Sequence, residues 1–159
     1  MRIHRKRPRS RARFFTPLRV EPLEERALLA LTAQMVADIN QVGKLNVSGP
    51  IVDVGGIAYF AAVTATNGRE LWKSDGTGAG TVLVKDIRSG TGNSDPRDLT
   101  NVNGTLFFRA DDGVNGEELW KSDGTADGTV LIKDINSGSG KSSLGSLTNV
   151  NGTLFFRAD

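Results

Sequence analysis

Three observations predict an all-β fold built of propeller-like blades with three to four antiparallel strands each. They are an internal repeat of 48 residues, short β-rich runs punctuated by Gly and Asn-Gly, and apolar runs that do not alternate with polar residues. Glu70-Leu71-Trp72-Lys73-Ser74-Asp75-Gly76-Thr77 returns unchanged as Glu118-Leu119-Trp120-Lys121-Ser122-Asp123-Gly124-Thr125. Residues 99–111 (LTNVNGTLFFRAD) recur letter for letter as 147–159, and the stretch 81–87 recurs as 129–135. The division that follows is a leader over 1–37, a join over 38–50, repeats over 51–98 and 99–146, and the start of a third repeat over 147–159. Because the last copy stops in mid-repeat, the chain reads as the N-terminal piece of a longer, incomplete array whose remaining repeats are its expected partners.

The leader carries the charge asymmetry. The formal net charge is +2, yet residues 1–19 hold Arg2, Arg5, Lys6, Arg7, Arg9, Arg11, Arg13 and Arg19 with no acid, while beyond residue 30 eleven basic side chains face fifteen acidic ones. A basic run followed by an apolar stretch at 27–37 is the order of an export signal, and the stretch is too short to span a membrane. A disordered basic tail is one alternative, and an amphipathic helix using Leu28, Leu31 and Met35 is another. Residues 38–50, polar with Gly43, Gly49 and Pro50, read as the join.

Within a repeat, Asn103-Gly104 predicts a turn and 105–110 a strand rich in β-formers. A second turn over 111–116, a strand over 117–121, paired Asp-Gly turns over 122–128 and a strand over 129–135 follow. A Gly/Ser-rich loop over 136–146 then leads to a short strand over 147–150 of the next unit. Leu106-Phe107-Phe108, Leu119-Trp120 and Val130-Leu131-Ile132 are continuous, so both faces of each sheet are expected to be covered by stacking. Sheets of this length stacked face to face around an axis make a β-propeller.

The candidate site residues are structural anchors of the repeat: Leu71, Trp72, Asp75 and Gly76, with Leu119, Trp120, Asp123 and Gly124. Asp75 and Asp123 precede Gly in a tight turn, where an Asp side chain bonds the backbone two residues on. Trp72 and Trp120 suit packing between blades better than stacking on sugars. Residues 111–117 (DDGVNGE) look like a calcium loop, but the first copy keeps only Asn67-Gly68 and has Val63, Thr64 and Arg69 where the second has Asp111, Asp112 and Glu117. An Asn-Gly turn is the better account. Lys85-Asp86 and Lys133-Asp134 read as solvated or strand-edge charges. The chain has no Cys, and its single His, His4, lies in the leader, so no catalytic, cofactor-binding or metal residue and no cofactor is expected. An acidic body disfavours nucleic acid.

Residues 20–30 (VEPLEERALLA) resemble the LEPR-x-LL type N-terminal motif of large secreted or surface proteins of planctomycete bacteria. Residues 51–159, through the repeated octapeptide, Gly-Thr-Leu-Phe-Phe and Gly-Thr-Val-Leu, resemble the ELWxxDGT repeat proteins, also labelled hyalin-like. The resemblance implies a non-enzymatic extracellular or cell-surface module, adhesive or scaffold-like, that binds an unknown surface or matrix ligand through its loops. The alternative is a propeller enzyme acting on extracellular polysaccharide, its active site completed by further repeats.

Overall fold

The computed structural model describes residues 45–140 and 142–158, so the readings made of the leader lie outside the described residues. The first blade is a four-stranded antiparallel meander of β1 (Asn46–Val54), β2 (Ile57–Thr64), β3 (Gly68–Ser74) and β4 (Val82–Lys85). The second repeats it 48 residues later as β5 (Arg97–Val102), β6 (Thr105–Asp111), β7 (Glu117–Ser122) and β8 (Val130–Lys133). A hairpin of β9 (Gly145–Val150) and β10 (Thr153–Arg157) begins a third unit. The described residues form an all-β, propeller-like row of blades.

Several expected boundaries move, among them the start of β5 at Arg97, ahead of the repeat boundary at 99, and of β9 at Gly145 rather than 147. Strand β1 begins at Asn46, inside the segment read as a join, and Pro50 is accommodated because the register slips between Ser48 and Val52. Strand β8 ends at Lys133 rather than running to Ile135, because the backbone of Ile135 and Asn136 turns away to meet the Glu118 carboxylate.

The hairpins entering each unit have positive φ at both central residues: Gly55 and Gly56 (63° and 86°), Asn103 and Gly104 (52° and 84°), and Asn151 and Gly152 (50° and 82°). In each, a side chain two residues before the turn accepts the N–H of its second central residue, from Asp53, Asn101 and Asn149 Oδ1 respectively. The same amides tie unit to unit. Asn101 Nδ2 donates to Asp53 O at 2.9 Å and Asn149 Nδ2 to Asn101 O at 2.8 Å. The first strands β1, β5 and β9 thus lie closest together, with the later strands of each blade diverging.

Between the first two blades one face of each sheet meets the other. Tyr59 and Leu71, with Val84 and Ile87, pack against Leu106, Phe108, Ala110 and Trp120 in one buried cluster. The opposite face of the first blade buries Phe60 and Trp72, directly paired across β2 and β3, with Leu45 and Ala62. Burying side chains of this size contributes about 1.5–3 kcal/mol each. On β10, Phe155 and Phe156 remain 57% and 41% exposed.

Candidate functional site

The anchors fall into two groups. Leu71, Trp72, Leu119 and Trp120 are all core residues, at most 9% exposed. Trp120 lies between the blades, and Trp72 in the cluster on the far face of the first. Asp75, Gly76, Asp123 and Gly124 build the loop after the third strand of each blade.

That loop is closed by its own side chains. Asp75 Oδ1 accepts Thr77 N at 2.9 Å and Thr77 Oγ1 at 2.7 Å, and Asp123 does the same for Thr125 at 2.8 and 2.7 Å. Bonds from the threonine side chain and backbone hold both carboxyls below their ordinary range. Ser74 Oγ meets Thr81 Oγ1 at 2.7 Å and accepts Gly76 N at 3.0 Å, and Thr81 Oγ1 donates to Thr77 O. Gly80 is required by contact, because a Cβ there would lie 1.9 Å from Asp75 Oδ1. Every polar residue of the Ser-Asp-Gly-Thr motif therefore has an architectural partner.

A second device is absent from the expectations above. Glu70 and Glu118 are fully buried, and each collects the loop that follows the fourth strand. Glu70 accepts Ile87 N at 3.0 Å, Arg88 N at 3.3 Å, Ser94 N at 3.1 Å and Ser94 Oγ at 2.5 Å. Glu118 accepts Ile135 N, Asn136 N and Ser142 Oγ in the same way. Burial pushes the Glu70 carboxyl up to about 6 against the opposing pull of these donors. The available signal was spacing: Glu70 and Trp72 stand two apart on one strand, which places both on one face.

The lysines also act across the interface: of the two readings of Lys85-Asp86, solvated or strand-edge charges, the solvated one gives way, and Lys85 ends the edge strand β4. Lys73 Nζ donates to Gly124 O at 2.8 Å, and Lys85 Nζ to Thr129 O at 2.8 Å and Ala126 O at 3.2 Å. Asp86 Oδ2 accepts Asn67 Nδ2 and Gly90 N, both at 3.2 Å. Their copies Lys121 and Lys133 are exposed.

The segment resembling a calcium loop uses Asp112 and one oxygen of Asp111 on its own turn, while Asp111 Oδ2 pairs with Arg88 and Glu117 with Arg109. Asp112 Oδ1 accepts Val114 N and Asn115 N, Oδ2 accepts Asn115 Nδ2, and Asp111 Oδ1 accepts Gly113 N. Burial opposes the ionised form of Asp112, yet the bonds from Asn115 and Val114 prevail and hold its carboxyl low. Gly116 has a φ of 73°, and a Cβ there would lie 2.2 Å from Gly140 O, so the Asn-Gly turn is demanded both by its backbone and by the loop packed on it.

Among the described residues a hollow of about 290 Å³ lies at Lys121, Asp123 and Asp127, and a second concave feature lies elsewhere. On the seam between the first two blades a cleft of about 300 Å³ is lined by Pro50, Ala61, Arg69, Pro96, Arg97 and Asp98, among others. Asp95 lies 3.5 Å from Arg69 Nη1 and 3.8 Å from Arg97 Nη2, and Arg69 Nε is buried without an acceptor. Among the described residues no group of His, Cys, Asp and Glu is placed to hold a metal, and no helix is long and apolar enough to cross a membrane. Compared with known proteins, the chain matches no family model, no curated protein and no solved structure.

Proposed function

We propose that this chain is a non-enzymatic, exported repeat module of the ELWxxDGT type, which presents loops and inter-blade seams to a surface or matrix ligand. The observation that carries the reading is how the recurrent polar residues are used. Glu70 and Glu118 hold loops, Asp75 and Asp123 close turns, and Lys73 and Lys85 latch one blade to the next. General acid or base catalysis needs a carboxylate free to exchange a proton with a substrate, and these are committed to backbone donors. The motif is then scaffold, and recognition falls to positions at which the copies differ.

Export is tested by fusing residues 1–40 to a reporter in a planctomycete host. The reporter is expected outside the cytosol; retention in the cytosol overturns the surface assignment.

A further inference from the structure

The two copies differ most tellingly at one seat on the inter-blade seam. In the second blade Arg109 fills it: Nη1 donates to Leu144 O at 2.8 Å and to Glu117 Oε1 at 3.0 Å, and Nε lies 3.0 Å from Asp98 Oδ2. Shifted back by the 48-residue period, Arg109 becomes Ala61, and its three partners Leu144, Glu117 and Asp98 become Pro96, Arg69 and Pro50. Those four residues all line the cleft of about 300 Å³. The cleft is thus the guanidinium socket of the repeat, emptied by Ala61 and reversed in charge by Arg69 in place of a carboxylate.

We infer that this socket binds a small carboxylate-bearing ligand of the size of one hexuronate unit, with Arg69 as the anion-binding residue. Where the second blade seats a cation between two acids, the first offers a cation with no side chain filling the space before it. Two arginines, Arg69 and Arg97, and one carboxylate, Asp98, line the cleft; Asp95 is shared by the two arginines, and Asp98 shares Arg109 with Glu117. The Arg69 side chain is about one-third exposed, and an arginine fork meets a carboxylate in its own plane. Pro50 and Pro96 line the same cleft with rings that have no N–H, which suits the C–H surface of a sugar. Pockets for small ligands begin at about this volume. The inference deepens the surface-module reading and rests on it only for the source of the ligand, an acidic extracellular saccharide.

The test is a titration of the full chain with glucuronate, followed by the amide and arginine Nε–H signals in nuclear magnetic resonance, with glucose and acetate alongside. Glucuronate is expected to shift signals around Ala61 and Arg69 and glucose to leave them in place. Weaker shifts from acetate at the same signals identify the carboxylate as the recognised group, and shifts from acetate equal to those from glucuronate overturn the saccharide assignment. Arg69→Gln is expected to weaken binding by about tenfold or more, the loss of one charge-assisted pair. A61R/R69E restores the arginine of the second blade's socket and its Glu117 counterpart, with Pro50 still in the place of Asp98, and is expected to fold and lose binding altogether. Shifts of equal size with glucose, no shift with any probe, or unchanged affinity in A61R/R69E each overturn the proposal. The reporter experiment is unaffected by these outcomes, so failure of the socket and failure of export are read separately.

Discussion

The contact between Tyr59 and Gly124 isolates the inter-blade interface in a single pair of atoms. Gly124 has a φ of 90°, and a Cβ built on it would lie 2.2 Å from Tyr59 Oη but 3.4 Å from Cζ, already at ordinary contact distance. Gly124→Ala therefore carries two separable costs. The backbone part, an L-residue at positive φ, is about 1–2 kcal/mol. The steric part arises because the two blades must separate by roughly 1 Å or Tyr59 must leave its place, and overpacking of this kind costs about 1–3 kcal/mol. In a Tyr59→Phe background the clashing oxygen is gone, and only the backbone part remains. Phenylalanine already occupies the equivalent position, Phe107, in the second repeat, so Tyr59→Phe alone is expected to cost less than about 0.5 kcal/mol. Urea unfolding followed by tryptophan fluorescence of the four proteins gives the coupling, expected at about 1–3 kcal/mol. An equal cost of Gly124→Ala in both backgrounds would refute the packing of the second blade's loop onto Tyr59.

Lys85→Met removes the donor to Thr129 O and is expected to destabilise by about 1 kcal/mol, whereas Lys133→Met, at the exposed copy, should cost less than about 0.5 kcal/mol; equal losses by urea titration would reject the latch. The Glu70 carboxyl, raised from 4.5 to about 6, binds its proton more tightly folded than unfolded, so its contribution is full below about pH 4.5 and lost as pH rises through about 6. The stability of wild type minus that of Glu70→Gln should accordingly fall across that window, and a difference flat with pH would contradict the assignment. Tyr59 is the single tyrosine, and burial first, then the Asp123 charge, raises its phenol above 10.0. Absorbance titration should show this directly, with Asp123→Asn bringing the midpoint only part of the way down; a midpoint indifferent to that substitution would remove Asp123 from the pair.

What was legible in the sequence was local. The strands around Phe107 and Trp120 declared themselves by β-rich composition between turn residues, and the Asp75 and Asp123 turns by bonds that reach only two residues along the chain. The failures share the opposite property. Lys73 drew no reading, and Lys85 was read as a solvated or strand-edge charge, because their acceptors are backbone carbonyls 51 and 44 residues further on, which no local pattern encodes. Glu70 and Glu118 escaped because a glutamate in a strand is ordinarily exposed, and burial became tolerable only through donors 17 to 24 residues downstream. Gly49-Pro50 looked like a join, and only the register slip between Ser48 and Val52 lets that stretch belong to β1. The cleft at Ala61 was invisible for a further reason: an alanine in an apolar strand signals nothing until the copy 48 residues on is seen to be a seated arginine.

Beside the apolar cluster and the asparagine amides that join the units, two polar arrangements at the seams respond differently to sequence drift. The lysine latch ends on the carbonyls of Gly124, Ala126 and Thr129, and a carbonyl is present whatever the side chain. Gly78 and Ala79 can thus become Ala126 and Asp127 in the next copy with no acceptor lost. The seam socket is made of side chains on both sides, so it changes only in concert: Arg109 with Asp98 and Glu117 in one unit, Ala61 with Pro50 and Arg69 in the other. Exchanging a single member, such as placing arginine at Ala61 while Arg69 remains, would set two guanidiniums in one seat without the glutamate that Arg109 meets there in the other copy. A latch that ignores side-chain identity, set at the other end of β3 from Arg69, keeps its acceptors while the socket varies, which is the division of labour a repeat needs if its copies are to share one architecture and differ in what they bind.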